Sequence, residues 1–129
     1  MRKKIVFLLA FLCMLLLAGC SKAKETSKYN IEYLNKDKTG IAEMPYDASA
    51  TTTDALIEEF FAALSSDPDN VEYRKPIPND VEITKYSLDG ALLTIYFDVD
   101  YLNMKEVEEV LCRAAVVRTM TQILSLIHI

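Results

Sequence analysis

Asp98-Val99-Asp100 sets two carboxylates two residues apart, and on an extended strand residues i and i+2 share a face. A pair of that kind can ligate a divalent cation or, at the right separation, act as the acid and base of a glycosidase. Two carboxylates supply too few oxygens for a hard cation, which takes about six to eight, and no further acidic side chain follows until Glu106. Asp98 and Asp100 are therefore weak metal candidates and read best as solvated residues at a strand end. Nucleophilic catalysis finds no better footing. The one imidazole, His128, is the penultimate residue of the sequence, where it can hardly be preorganised beside a Ser or Cys. No spaced His/Cys cluster suits zinc, and glycines at 19, 40 and 90 cannot form a phosphate-cradling loop. The expectation is a chain with no catalytic set, no metal and no cofactor.

Cys20 is different. Arg2, Lys3 and Lys4 precede an uncharged apolar run, Ile5 to Gly19, that is short for a bilayer span of about 20 residues. A charged start, an apolar middle and small residues before a break describe a secretory leader. Leu17-Ala18-Gly19-Cys20 resembles a bacterial lipobox, in which Cys20 receives a diacylglycerol through its sulfur and becomes the first mature residue. The expected organisation is a lipoprotein signal peptide at 1–19, the lipidated Cys20 with a flexible tether through residue 28 (SKAKETSK after the cysteine), and one domain over 29–129. The mature chain would then sit outside the cytoplasm, lipid-anchored on the outer face of the cell membrane. Cys13 leaves with the leader and Cys20 carries lipid, so Cys112 has no partner within the chain and reads as a small buried hydrophobe. Loss of the three leader cations takes the net charge from −5 to −8, which argues against nucleic acid as a partner.

The elements that would position these residues follow from periodicity. Tyr29, Ile31 and Tyr33 alternate with Asn30, Glu32 and Leu34, the pattern of a half-buried strand. Lys36-Asp37-Lys38-Thr39-Gly40 supplies a turn, with Gly40 suited to positive φ. Ile41 to Tyr46 returns as an edge strand, because Pro45 lacks an N–H. Thr51-Thr52-Thr53-Asp54 opens a helix that buries Leu56, Ile57, Phe60, Phe61 and Leu64 and turns Glu58 and Glu59 outward. Residues 67–80, with three of the four prolines, read as a loop. Val81 to Leu88 and Leu92 to Val99 form a hairpin about Asp89-Gly90 with positive φ at both turn positions, and the second of these strands is expected at the sheet centre. Asn103 and Glu106 have capping-box spacing. Val107, Val110, Leu111, Ala114, Val117, Thr121 and Leu124 then mark the buried stripe of a second helix, with Arg113 and Arg118 solvated. The fold class that results is α+β, a small mixed sheet of about four to five strands with two helices packed on one face.

Taken in order, these features resemble the GerM-like domain of spore germination and sporulation proteins. The resemblance rests on the Leu56–Leu64 helix, the Ile77-Pro78 pair and the Val81–Phe97 strand-turn-strand. It continues in Ile95-Tyr96-Phe97-Asp98-Val99-Asp100-Tyr101 and in Ala115-Val116-Val117-Arg118-Thr119-Met120. Where the family pattern has a Gly-Pro and a polar residue, frequently Asn, this chain has Asp67-Pro68 and Arg118. The family also continues into a further strand, so the domain is expected to lack its last strand and to leave a sheet edge open. The resemblance implies a non-catalytic interaction or assembly domain on a Gram-positive cell membrane. Its partners would be sporulation or envelope proteins, and oligomerisation is compatible with it. The alternative it leaves is an accessory or regulator of a cell-envelope enzyme acting at peptidoglycan.

Overall fold

The computed structural model describes residues 2–5 and 27–127, with side chains described through residue 124. Most of the leader, Cys20, most of the tether and His128 lie outside the described residues. The chain is α+β. β1 (Tyr29–Asn35) and β2 (Ile41–Tyr46) form a hairpin, α1 (Thr53–Leu64) follows, and β3 (Tyr73–Arg74) is a short strand. β4 (Ile83–Asp89) and β5 (Leu92–Phe97) form a second hairpin, and a 3-10 turn (Val99–Asn103) leads into α2 (Glu106–Ile127). The strands divide into two antiparallel sheets, β2-β1-β3 and β4-β5, rather than joining one mixed sheet. The central strand is accordingly β1, and among the described residues β5 has a neighbour on one side only. β3 was hidden from periodicity because two residues cannot show a period, and it pairs Arg74 with Leu34 and Tyr73 with Asn35.

β1 is buried on both faces. Tyr29, Ile31 and Tyr33 enter the main core, while Glu32 and Leu34 on the other face are equally withdrawn from water. α1 begins where expected: Thr52 Oγ1 accepts from Ala55 N–H at 3.3 Å, and Asp54 lies in the first turn. Leu56, Ile57, Phe60, Phe61 and Leu64 are all buried, as their spacing predicts. Ile77 closes the core from the loop, fully buried and with its N–H donated to Leu64 O at 3.2 Å.

α2 departs from expectation. Its buried stripe is Cys112, Ala115, Val116, Thr119, Met120 and Ile123, whereas Val107, Val110 and Val117 are 63%, 52% and 53% exposed. Apolar residues surround this helix, so two stripes satisfy the same three-and-four spacing. The one chosen brings small Cys112 and Ala115 against the sheet and aims Thr119 and Gln122 at β1. The helix starts at Glu106, so Asn103 does not cap it; Asn103 Nδ2 donates to Asp100 Oδ1 at 3.3 Å within the 3-10 turn.

Both hairpin turns are shifted from their sequence reading. β4 and β5 pair Asp89 with Leu92, so the loop is Gly90-Ala91, and only Gly90 has positive φ (58°). Positive φ at the first loop position alone is the requirement of a type II′ turn. In the first hairpin, Lys38 rather than Gly40 takes the left-handed conformation (φ 53°), because Asn35 Oδ1 accepts from both Thr39 N–H and Gly40 N–H and fixes the loop. Lys38→Gly is expected to raise stability by about 0.5 kcal/mol, read as a higher urea midpoint, since relief of the Cβ clash outweighs the loss of the exposed Lys38–Glu108 pair.

Candidate functional site

β5 ends at Phe97, so Asp98 and Asp100 do not share a strand face. Asp98 precedes the 3-10 turn with extended backbone, and its N–H donates to Glu82 O at 2.9 Å. Asp100 is inside the turn, where it accepts from Asn103. Asp98 Oδ1 is buried without a hydrogen-bond partner in the protein, but no third ligand stands near it. Among the described residues no group of three or more His, Cys, Asp or Glu converges. Phe97 stacks on Tyr101 at 4.6 Å, and Tyr101 O–H donates to Glu109 Oε1 at 2.7 Å, which ties the turn to the first turns of α2. Cys112 is fully buried, and that burial, with Glu109 nearby, pushes its thiol up to about 12; it remains a protonated, inert core residue.

The fold brings Glu32, Glu43 and Arg118 together in one charged cluster. The β1/β2 register sets Glu32 directly opposite Glu43. Arg118 bridges the pair, with Nε 3.3 Å from Glu32 Oε1 and an Nη 3.4 Å from Glu43 Oε1. Glu32's side chain is only 4% exposed, against 54% for Arg118, and Glu32 Oε2 has no hydrogen-bond partner. Desolvation raises the Glu32 pKa from its ordinary value; Arg118 opposes the shift, and Glu43 adds to it. On the same side, Thr119 Oγ1 accepts from Glu32 N–H at 3.1 Å. Gln122 both accepts from Asn30 N–H (2.9 Å) and donates to Asn30 O (2.7 Å). These side chains cover the edge of β1 beyond the end of β3. A buried carboxylate held between a guanidinium and a second carboxylate can hold or release a proton, and with Glu43, Arg118 and Gln122 it lines an open recess of about 250 Å³.

A second cluster fastens the segment between β2 and α1. Glu59 accepts from Tyr46 O–H (3.0 Å), Ser49 N–H (2.9 Å), Ser49 O–H (3.1 Å) and Ala50 N–H (2.8 Å). The backbone hydrogen bond from Ser49 leads the causes that hold its carboxyl below the usual range, and burial of the phenol with this carboxylate beside it pushes Tyr46 up to about 12. A carboxylate whose folded pKa is depressed contributes stability present above its unfolded value and lost as pH falls through the folded one. Glu59→Ala is therefore expected to cost about 1–2 kcal/mol at neutral pH. The gap between variant and parent closes as pH falls below about 4, followed by urea unfolding across the pH range.

The concave surface is open and of mixed polar and apolar lining. A recess of about 330 Å³ lies between the β1 end and the proline loop, lined by Leu34, Lys38, Arg74, Lys75, Met104 and Glu108 among others. An open groove of about 570 Å³ runs between α1 and β4 past Phe61, Ile83 and Tyr86. Neither joins Asp98, Asp100 or the Glu32 cluster into one site. No helix among the described residues is long and apolar enough to cross a membrane. No family model, curated protein or solved structure matches this chain.

Local period gives no hint of Glu32, Glu59, Thr119 or Gln122; it reads Arg118 as solvated, and the side chain is 54% exposed, but its pairing with Glu32 and Glu43 does not show in the sequence. Glu32 alternates correctly with its neighbours, so period alone assigned it to the wet face. Its burial depends on α2, whose docked stripe could not be read in advance.

Proposed function

We propose that this chain is a lipid-anchored extracytoplasmic lipoprotein whose α+β domain is a non-catalytic GerM-like interaction or assembly module, in the setting of sporulation or spore germination. The observation that carries the reading is Leu17-Ala18-Gly19-Cys20 directly after a charged start and an apolar run too short to span a bilayer. Diacylation of Cys20 supplies two acyl chains, the number that stable anchoring requires without a basic patch, and a chain of net charge −8 has none to offer anionic lipid. In support of a contact role, the buried Glu32 and the part-buried Glu59 hold β1, β2, α1 and α2 together. The domain leaves large apolar side chains, Leu92, Val99 and Leu102 among them, in water.

The anchor is tested by metabolic labelling with palmitate and by globomycin, which blocks lipoprotein leader cleavage. The expected result is a labelled mature protein in the membrane fraction, a larger precursor under globomycin, and loss of both label and membrane retention in Cys20→Ala. A Cys20→Ala protein that still labels and stays membrane-bound overturns the reading.

A further inference from the structure

The outer edge of β5 leads to a partner. In a two-residue hairpin the pair flanking the loop, here Asp89 and Leu92, exchanges its backbone bonds inward. Alternation then turns the N–H and C=O groups of Leu92, Thr94 and Tyr96 toward β4 and aims those of Leu93, Ile95 and Phe97 at the side where, among the described residues, the sheet has no third strand. Asp98 N–H, donated inward to Glu82 O, continues the same alternation.

The other edges carry the usual protections against strand addition. β2 has Glu43 and Pro45, and β4 has Lys85 and an irregular step between Ile83 and Lys85. β5, Leu-Leu-Thr-Ile-Tyr-Phe, has no charge, proline, glycine or bulge of its own. Its outward face is apolar, with Leu92 67% and Tyr96 43% exposed.

We infer that β5 is the contact through which two copies of this chain associate, pairing antiparallel about a two-fold axis at Thr94 to join the two hairpins into one four-stranded sheet. The register chooses a second copy over an unrelated strand because β5 complements itself. With Thr94 opposite its own equivalent, Tyr96 of each copy lies across from Leu92 of the other, and Leu93 across from Ile95. The Leu93–Ile95 pairs exchange the outward backbone bonds, which makes Thr94–Thr94 a non-hydrogen-bonded pair whose side chains approach most closely. Aromatic–aliphatic and Thr–Thr pairs are among the favourable cross-strand combinations. Lys85 already lies over one face of Tyr96, 4.4 Å from the ring centroid, on the β4 side away from the added strand. The contact is isologous, so it closes at two copies instead of growing into fibres.

Pairing one short strand buries less than the roughly 800 Å² per partner of a standard stable interface, and the acidic net charge opposes association. The dimer is accordingly weak and is favoured by salt. The inference does not depend on lipidation of Cys20, and its test leaves that residue intact.

Cysteine substitution reads the register directly. A non-hydrogen-bonded antiparallel pair brings Cβ atoms to about 4.5–5.5 Å, within easy reach of disulfide closure. The full chain in detergent, oxidised with copper phenanthroline, is expected to give a covalent dimer from Thr94→Cys and none from Leu102→Cys, which is more exposed but lies away from β5. Charge reversal is the second arm. Thr94→Lys and Thr94→Glu should each shift the sedimentation profile to monomer, and mixing the two should restore the dimer at least tenfold over either alone. Circular dichroism melting checks that each is folded, and Leu92→Lys replaces any variant that is not. Equal cross-linking at positions 94 and 102, a monomer at all concentrations, or a dimer lost instead on Val117→Lys at the exposed face of α2 overturns the inference.

Discussion

Replacing Phe60 by alanine is expected to cost about 3–5 kcal/mol, the largest loss of any single side chain in the domain. Phe60 is fully buried and lies edge-to-face with two tyrosines, Tyr29 at 5.3 Å and Tyr46 at 5.9 Å. Removing the ring forfeits its transfer energy, leaves a cavity between α1 and the β1/β2 hairpin, and deletes two aromatic pairs worth about 0.5–1.5 kcal/mol each. Small domains are stable by only about 5–15 kcal/mol, so the variant will stand near the limit of folding at growth temperature. Phe97→Ala provides the comparison. Sequence alone makes Phe97 a centre-strand core residue, but the structure leaves it half-buried on the two-stranded sheet, stacked on Tyr101. Its loss should be about half that of Phe60 or less, read as the difference between the two urea midpoints. Equal losses would mean that the second sheet is packed as tightly as the first.

The second large effect belongs to Arg118. Arg118→Ala strips Glu32 of its only cation and leaves a buried carboxylate facing Glu43, at an expected cost of about 1–3 kcal/mol; the figure stays below that of a fully buried pair because water reaches the half-exposed guanidinium site. Adding Glu32→Gln should recover most of the loss, a coupling that a double-mutant cycle measures. The pH dependence has a definite sign. Folding raises the Glu32 pKa, so the native state holds that proton more tightly than the unfolded chain does. Its contribution is fully present below the unfolded value of about 4.5 and is lost as pH rises through the folded value. Arg118→Ala moves that loss to higher pH, and Glu32→Gln abolishes it. A pH–stability profile identical in all three proteins would contradict the assignment.

The α+β class, the α1 core stripe, the β1/β2 hairpin with its Pro45 edge and the buried Cys112 were legible in the sequence because each depends on local period or on one residue's chemistry. What was not legible depended on choices between equivalent local patterns. α2 presents two apolar stripes, and the choice between them is made by Thr119 and Gln122 meeting a strand 87 and 92 residues away in sequence. The Asp89-Gly90 signal located a turn but misplaced it by one residue, since glycine serves equally as the first position of one turn type and the second of another. Asp98 and Asp100 lost their common face for the same kind of reason: where a strand stops is set by its partner, and Ile83 is the last residue of β4 available to pair with Phe97.

Gln122 and Thr119 have a consequence measurable one amide at a time. Asn30 and Glu32 sit in the central strand, yet their outward N–H groups are held by helix side chains and not by a neighbouring strand. Their exchange with deuterated solvent therefore reports detachment of α2, while Ile31 and Tyr33, whose amides alternate toward β2, report opening of the hairpin. Two interleaved sets of amides along one strand thus record two separate unfolding events.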